Sequence, residues 1–168
     1  QASSFFALRG KQIQIIDEFK GHPDTENLAK AIVEKYGGNG RTIYAYPDPT
    51  GRQRKTSATV GVTDLSILKS HGIRVLAKKK SPPIADSVQA VNRKLMTAAG
   101  ETEMFIHPRC VGTIKSLERT QWVDRNPDTF AIDKTEGLEH FSDGVRYGTH
   151  FLFPVESHTK KAYRGMGF

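Results

Sequence analysis

The chain is poor in the residues from which sulfur-based metal or redox centres are made. Cys110 is its only cysteine, which excludes an internal disulfide and a zinc site built from cysteines, and fits a reducing, intracellular setting. No apolar run approaches the about 20 residues that a membrane-spanning helix needs, and the opening residues do not read as a signal peptide. A G-x-x-x-x-G-K-[ST] loop is missing, so the chain carries no P-loop ATPase of its own. Neither an H-E-x-x-H helix nor a G-x-S-x-G elbow occurs. The glycine-rich run Gly37-Gly38-Asn39-Gly40-Arg41 comes before a strand and does not join a strand to a helix, so it reads as a turn.

Positive charge is what the chain has in excess. Its 168 residues hold 25 Lys and Arg against 18 Asp and Glu, a net charge of +7 and a pI near 9.6. This balance favours a polyanionic partner, nucleic acid ahead of a membrane surface, over a merely soluble basic protein. The length suits one domain with a real core. Gln1 is not an initiator methionine and the residues after it already have strand character, so a piece of a longer protein is expected.

Apolar periodicity predicts a strand over Gln1–Leu8, a turn at Arg9-Gly10-Lys11, and a partner strand over Gln12–Phe19. A helix capped by Asp24 carries Leu28, Ile32 and Tyr36 on one face and closes at Gly37-Gly38. Strands follow at Thr42–Tyr46 and Ile73–Ala77, separated by a basic loop and a short helix capped by Thr63 or Asp64. Ile84, Val88, Val91 and Leu95 mark the next helix, Glu103–Ile106 a short strand, and Val111, Ile114 and Leu117 a helix running into Trp122. A polar loop over 123–136, with a short strand at Phe130-Ala131-Ile132, leads to a last helix from Gly137 to Phe153. The expected domain covers 1–154, with a basic, flexible tail over 155–168. A hairpin followed by alternating strands and helices predicts an α/β mixed sheet with helices on both faces.

Two aspartates stand out. Asp48 follows an apolar strand, where open α/β sheets deliver side chains to ligands, and prolines flank it. The competing reading makes it a turn residue, since Pro-Asp-Pro-Thr-Gly is good turn chemistry. Asp143 lies in an apolar helix, a costly place unless it is paired or metal-bound; Arg146, three residues on, is the alternative partner. His140 is one turn away and could orient water, bind phosphate or meet Asp143; packing or surface placement is the plainer reading. Asp17 and Glu18 close a strand and are candidates for a functional role, although solvated acids at strand ends are common. Basic clusters at Arg52, Arg54 and Lys55 and at Lys78, Lys79 and Lys80 follow strands and are candidate phosphate contacts.

Tyr46-Pro47-Asp48-Pro49-Thr50-Gly51, followed by a loop and the Thr63-Asp64-Leu65 helix, resembles the second acidic motif of the large terminase subunits of tailed bacteriophages. His140-Phe141-Ser142-Asp143-Gly144-Val145-Arg146-Tyr147 resembles their third. The resemblance spans nearly the whole chain as the C-terminal nuclease domain. It implies a ribonuclease H-like sheet and an endonuclease that cuts concatemeric double-stranded DNA with Mg²⁺ or Mn²⁺, by a two-metal route. It makes Asp48 and Asp143 metal ligands and His140 their neighbour. It also implies an N-terminal ATPase domain in the same parent protein, portal and small terminase subunit as partners, no membrane, and action in the cytoplasm of the infected bacterium, not in the mature virion. The family's first aspartate sits on a strand ahead of the one that begins near Gln1. This chain has no acidic residue before Asp17, so that first strand is expected to be missing. A non-catalytic DNA-binding and docking module, and a resolvase- or transposase-type core, remain the alternatives.

Overall fold

The computed structural model describes residues 2–38, 40–48, 62–124, 131–133, 137 and 139–155. Its first element is the hairpin of β1 (Ala2–Arg9) and β2 (Gln12–Lys20). Gly10, at φ +60°, makes the two-residue turn between the paired Arg9 and Gln12. β2 also pairs in parallel with β5 (Met104–Ile106), giving a mixed three-stranded sheet in the order β1-β2-β5. A second, parallel pair joins β3 (Tyr44–Ala45) to β4 (Arg74–Val75). A third, antiparallel pair joins β6 (Trp122–Asp124) to β7 (Ala131–Ile132).

The helices are α1 (Thr25–Tyr36), α2 (Asp64–Ser70), α3 (Ile84–Leu95), α4 (Val111–Arg119) and α5 (Glu139–Leu152). Asp24 caps α1 by accepting from the Asn27 N–H at 2.8 Å. Thr63, not Asp64, is the N-cap of α2, in a reciprocal capping box with Ser66. The structure departs from expectation after α4. That helix stops at Arg119, and Trp122 lies in a strand.

A β-bulge decides which side chains meet which helices. Phe5 pairs with Asp17 and Phe6 with Ile15, so Ile16 is left over in β2. Arg109 Nε donates to the bulged Ile16 carbonyl at 2.7 Å. Neighbours in a strand point to opposite faces. Phe5 stacks on Tyr36 of α1 at 3.9 Å, while Phe6 lies against Gly148 of α5. Helices therefore cover both faces of the hairpin, as expected. One apolar cluster joins Ile13, Ile15, Val91, Met104, Cys110 and Val145. The other joins Ala29, Leu68 and Ile73, with Ile43, Ala45 and Val75 packed on it, under α1 and α2.

Asp17 and Glu18 are not solvated strand-end acids. Beyond the bulge Asp17 turns toward α1, is buried, accepts from Tyr36 Oη at 2.7 Å and pairs with Lys35. Glu18 turns the other way and accepts from the Gly112 and Thr113 N–H groups at 2.9 and 2.7 Å. It thereby serves the first turn of α4, which the side chain of its own N-cap residue Cys110 does not cap.

Candidate functional site

An open cleft of about 990 Å³ runs between the hairpin and the β3–β4 pair, and Asp48, His140 and Asp143 all line it. Asp48 lies three residues past the end of β3 at Ala45, after Tyr46-Pro47. Its two oxygens accept from different elements: Ser81 Oγ at 3.3 Å and Tyr147 Oη at 3.2 Å. Tyr147 stands one helical turn beyond Asp143 on α5, so it ties the two aspartates into one wall. Burial first, and then the charge of Asp48, push the Tyr147 phenol above its ordinary range. It therefore stays protonated and remains a donor to Asp48.

Asp143 has the partner that its spacing allowed. Its carboxylate receives Arg146 Nη2, while Arg146 Nη1 donates to Ser87 Oγ on α3. Arg146 is only 5 % exposed, and the Asp143 side chain 19 % exposed. The pair thus fastens α5 to α3 and presents one edge of Asp143 to the cleft. His140 is mostly exposed, at 68 % of its side chain, and its Nδ1 is 3.7 Å from Glu139 Oε1.

The basic candidates divide. Arg52, Arg54 and Lys55 lie outside the described residues. Lys78 is half-buried; its Nζ meets His150 Nδ1 at 3.2 Å and sits over the Phe151 ring. It is engaged in packing, and burial followed by the Lys78 charge holds the His150 imidazole below its usual value. Lys79 and Lys80 are exposed, next to the Ser81 that touches Asp48. Two exposed cations on the cleft rim, Lys20 and Lys115, were not singled out in the sequence, nor was Asp64 as a lining residue. Asp64 takes a hydrogen bond from Thr25 Oγ1. Isolated lysines at a strand end and on a helix give no local signal, because only the fold brings them to one rim.

The donor set can be set against a hard divalent cation. Mg²⁺ is commonly held by one or two carboxylates together with water and substrate phosphate oxygens, and Asp48 and Asp143 match that much. Among the described residues, no group of three or more His, Cys, Asp or Glu side chains is gathered closely enough to hold a metal. A pair of ions would need more carboxylate oxygens than these two supply. No helix among the described residues is long and apolar enough to cross a membrane.

Compared with protein-family models, curated proteins and solved structures, the chain gives no significant match.

Proposed function

We propose that this chain is a metal-dependent endodeoxyribonuclease domain of the terminase kind, with a ribonuclease H-like sheet, acting on double-stranded DNA. The observation that carries the reading is that Asp48 and Asp143, from separate elements, line one cleft, with Tyr147 of the Asp143 helix donating to Asp48. Asp48 and Asp143 would hold Mg²⁺ or Mn²⁺ through carboxylate oxygens. A divalent ion bound there supplies charge stabilisation at a phosphodiester and a water of lowered pKa. Tyr147 orients Asp48, and Arg146 fixes the rotamer of Asp143. His140, exposed on the same wall, is placed to orient water or contact phosphate. Lys79 and Lys80, with Lys20 and Lys115 on the rim, are placed to hold the DNA backbone without reading sequence. In this reading the domain works beside an ATPase domain of the same parent protein, with portal and small-subunit partners, in the infected bacterial cell.

A second reading has an observation in its favour. Asp143 is already paired with Arg146, and among the described residues no group of three or more His, Cys, Asp or Glu side chains is gathered closely enough to hold a metal. That suits a DNA-binding and docking module whose acids are structural. Nicking of supercoiled plasmid separates the two. With Mn²⁺ or Mg²⁺ the chain is expected to nick and linearise plasmid, to stop with chelator, and to stop in Asp48→Asn and Asp143→Asn. Salt-sensitive DNA binding without metal-dependent cleavage would instead establish the second reading.

A further inference from the structure

The three-stranded sheet is covered unevenly. Ile13 and Ile15 of β2 pair with Met104 and Ile106 of β5, and all four belong to one apolar cluster or pack on it. Gln14 and Phe105 pair between them and so occupy the opposite face, which Ala7 of β1 shares through its pairing with Gln14. α1 reaches this face beyond the bulge, where Tyr36 stacks on Phe5 and Lys35 pairs with Asp17. From the bulge to the hairpin turn the face is open among the described residues: Ala7, Arg9, Phe105 and His107 are exposed, and Gln12 and Gln14 half-buried. Phe105, the central residue of β5, is 45 % exposed. The His107 N–H donates to the Ile15 carbonyl at 2.9 Å, which prolongs the ladder and puts the His107 ring on the Phe105 side, about 7 Å further along. That ring is fixed, because its Nδ1 accepts from the Arg109 N–H at 3.2 Å. Arg109 Nε lies 3.8 Å from one Asp17 oxygen, and Lys35 meets the other. Asp17 is 6 % exposed, whereas the Arg109 and Lys35 side chains are each 52 % exposed, so the acid is hidden and the cations it positions face solvent. At the turn end Glu101 and Glu103 stand with Arg9 and Lys11, and Lys94 engages Glu103. The cations just named outnumber the acids.

We propose that this open half-sheet binds single-stranded nucleic acid, with one unpaired base stacked on Phe105, its neighbour on His107, and the phosphates beside them held by Arg109 and Lys35. Exposed rings on a sheet, surrounded by cations, are what unpaired bases need: the ring takes the base face and the cations take the backbone. A duplex keeps its base faces stacked inside and has no use for such rings. The Gln12 and Gln14 amides, across β2 from Phe105, offer both donors and acceptors to base edges. A protein partner fits less well, because interface centres are depleted of charge and here a single large apolar side chain stands among amides and cations. None of Phe105, His107, Arg109 and Lys35 lines the cleft that holds Asp48 and Asp143, so the surface is separate from that site and does not depend on the nuclease reading.

The test measures binding of fluorescein-labelled oligothymidylate, and of a labelled duplex of the same length, to the full chain by anisotropy in chelator, where no cleavage occurs. Phe105→Leu keeps an apolar side chain and removes the ring; Phe105→Trp enlarges the ring. Circular dichroism melting checks that both variants fold. Phe105→Leu is expected to weaken oligothymidylate binding by at least about fivefold and to leave duplex binding unchanged. Phe105→Trp is expected to bind oligothymidylate at least as tightly as the unaltered chain, with its added fluorescence quenched by the oligonucleotide beyond any change in Trp122. Oligothymidylate that does not bind, binding unaltered in Phe105→Leu, an equal loss on the duplex, or unquenched Phe105→Trp would each overturn the proposal. So would an unaltered chain that is dimeric and becomes monomeric in Phe105→Leu, because a second copy would then be the occupant. Asp48→Asn and Asp143→Asn should bind oligothymidylate as the unaltered chain does, which keeps failure of this surface and failure of the nuclease reading distinguishable.

Discussion

Replacing Asp143 by alanine would do more than delete a candidate ligand. Arg146 is 5 % exposed, and its guanidinium donates to Asp143 and Ser87. Among the described residues its Nε is buried with no hydrogen-bond partner. Removing the carboxylate strands a buried cation between α3 and α5. Orphaning one member of a buried pair costs about 3–5 kcal/mol. Because the Asp143 side chain keeps 19 % exposure, water relieves part of this, and about 2–3 kcal/mol is the expected loss. For a chain of this size that corresponds to a fall in Tm of about 5–10 °C. Thermal and urea unfolding followed by circular dichroism measure it, on Asp143→Ala, Arg146→Met and the double variant. The double variant should recover much of the loss, since no charge is then left unpaired. Asp143→Asn keeps an oxygen acceptor toward Arg146 and should melt close to the unaltered protein, which makes it the cleaner variant for activity. Melting of Asp143→Ala within about 2 °C of the unaltered chain would refute the claim that this pair carries the α3–α5 contact.

Two glycines of similar helical setting should respond with opposite signs. A Cβ at Gly112 would lie 2.6 Å from Phe141 Cε2 and 3.0 Å from Glu18 Oε1, so Gly112→Ala should lose about 1–3 kcal/mol despite alanine's better helix propensity. A Cβ at Gly144 meets no described residue within 4 Å, and Gly144→Ala should gain about 0.5–1 kcal/mol; urea titration of both checks the sign. Burial first, and then the Asp17 carboxylate, push the Tyr36 phenol from 10.0 to about 12. Its neutral form is favoured by folding, so this stabilisation is complete below pH 10 and is lost as pH rises toward about 12, which phenolate absorbance and unfolding report together. Asp17 behaves in the opposite sense. Burial raises it, but hydrogen bonds from Lys35 and Tyr36 prevail and leave it below its ordinary 3.8. Its stabilisation is present above that value and is lost as pH falls through the lower folded value, so Asp17→Asn should flatten the acid arm of the stability curve.

How much of this was legible in the sequence depended on range. The caps at Asp24 and Thr63, the spacing of Ile84, Val88, Val91 and Leu95, and the turn at Gly10 are local signals, and the elements they predict are present. The pairing of Asp143 with Arg146 was available as an alternative because three residues separate them on a helix. The bulge at Ile16 was not legible. It leaves no mark in composition, yet it sends Asp17 to α1 and Glu18 to α4. Nor was the fate of lysines on basic runs. Lys94 beside Arg93 is buried against Glu103 and the Phe153 ring, and Lys78 is held by His150. The strand at Trp122 replaced an expected helix because its pairing with Ile132 lies outside the window that sets helical periodicity.

The joint use of Asp48 and Asp143 is tested most directly by Mn²⁺ paramagnetic broadening of amide resonances in the labelled chain. Expected is selective broadening at Asp48, Asp143 and Gly144, abolished by Asp48→Asn and by Asp143→Asn while both variants stay folded. Uniform resonances on addition of Mn²⁺, or broadening that survives in either variant, would contradict a shared metal site on this wall.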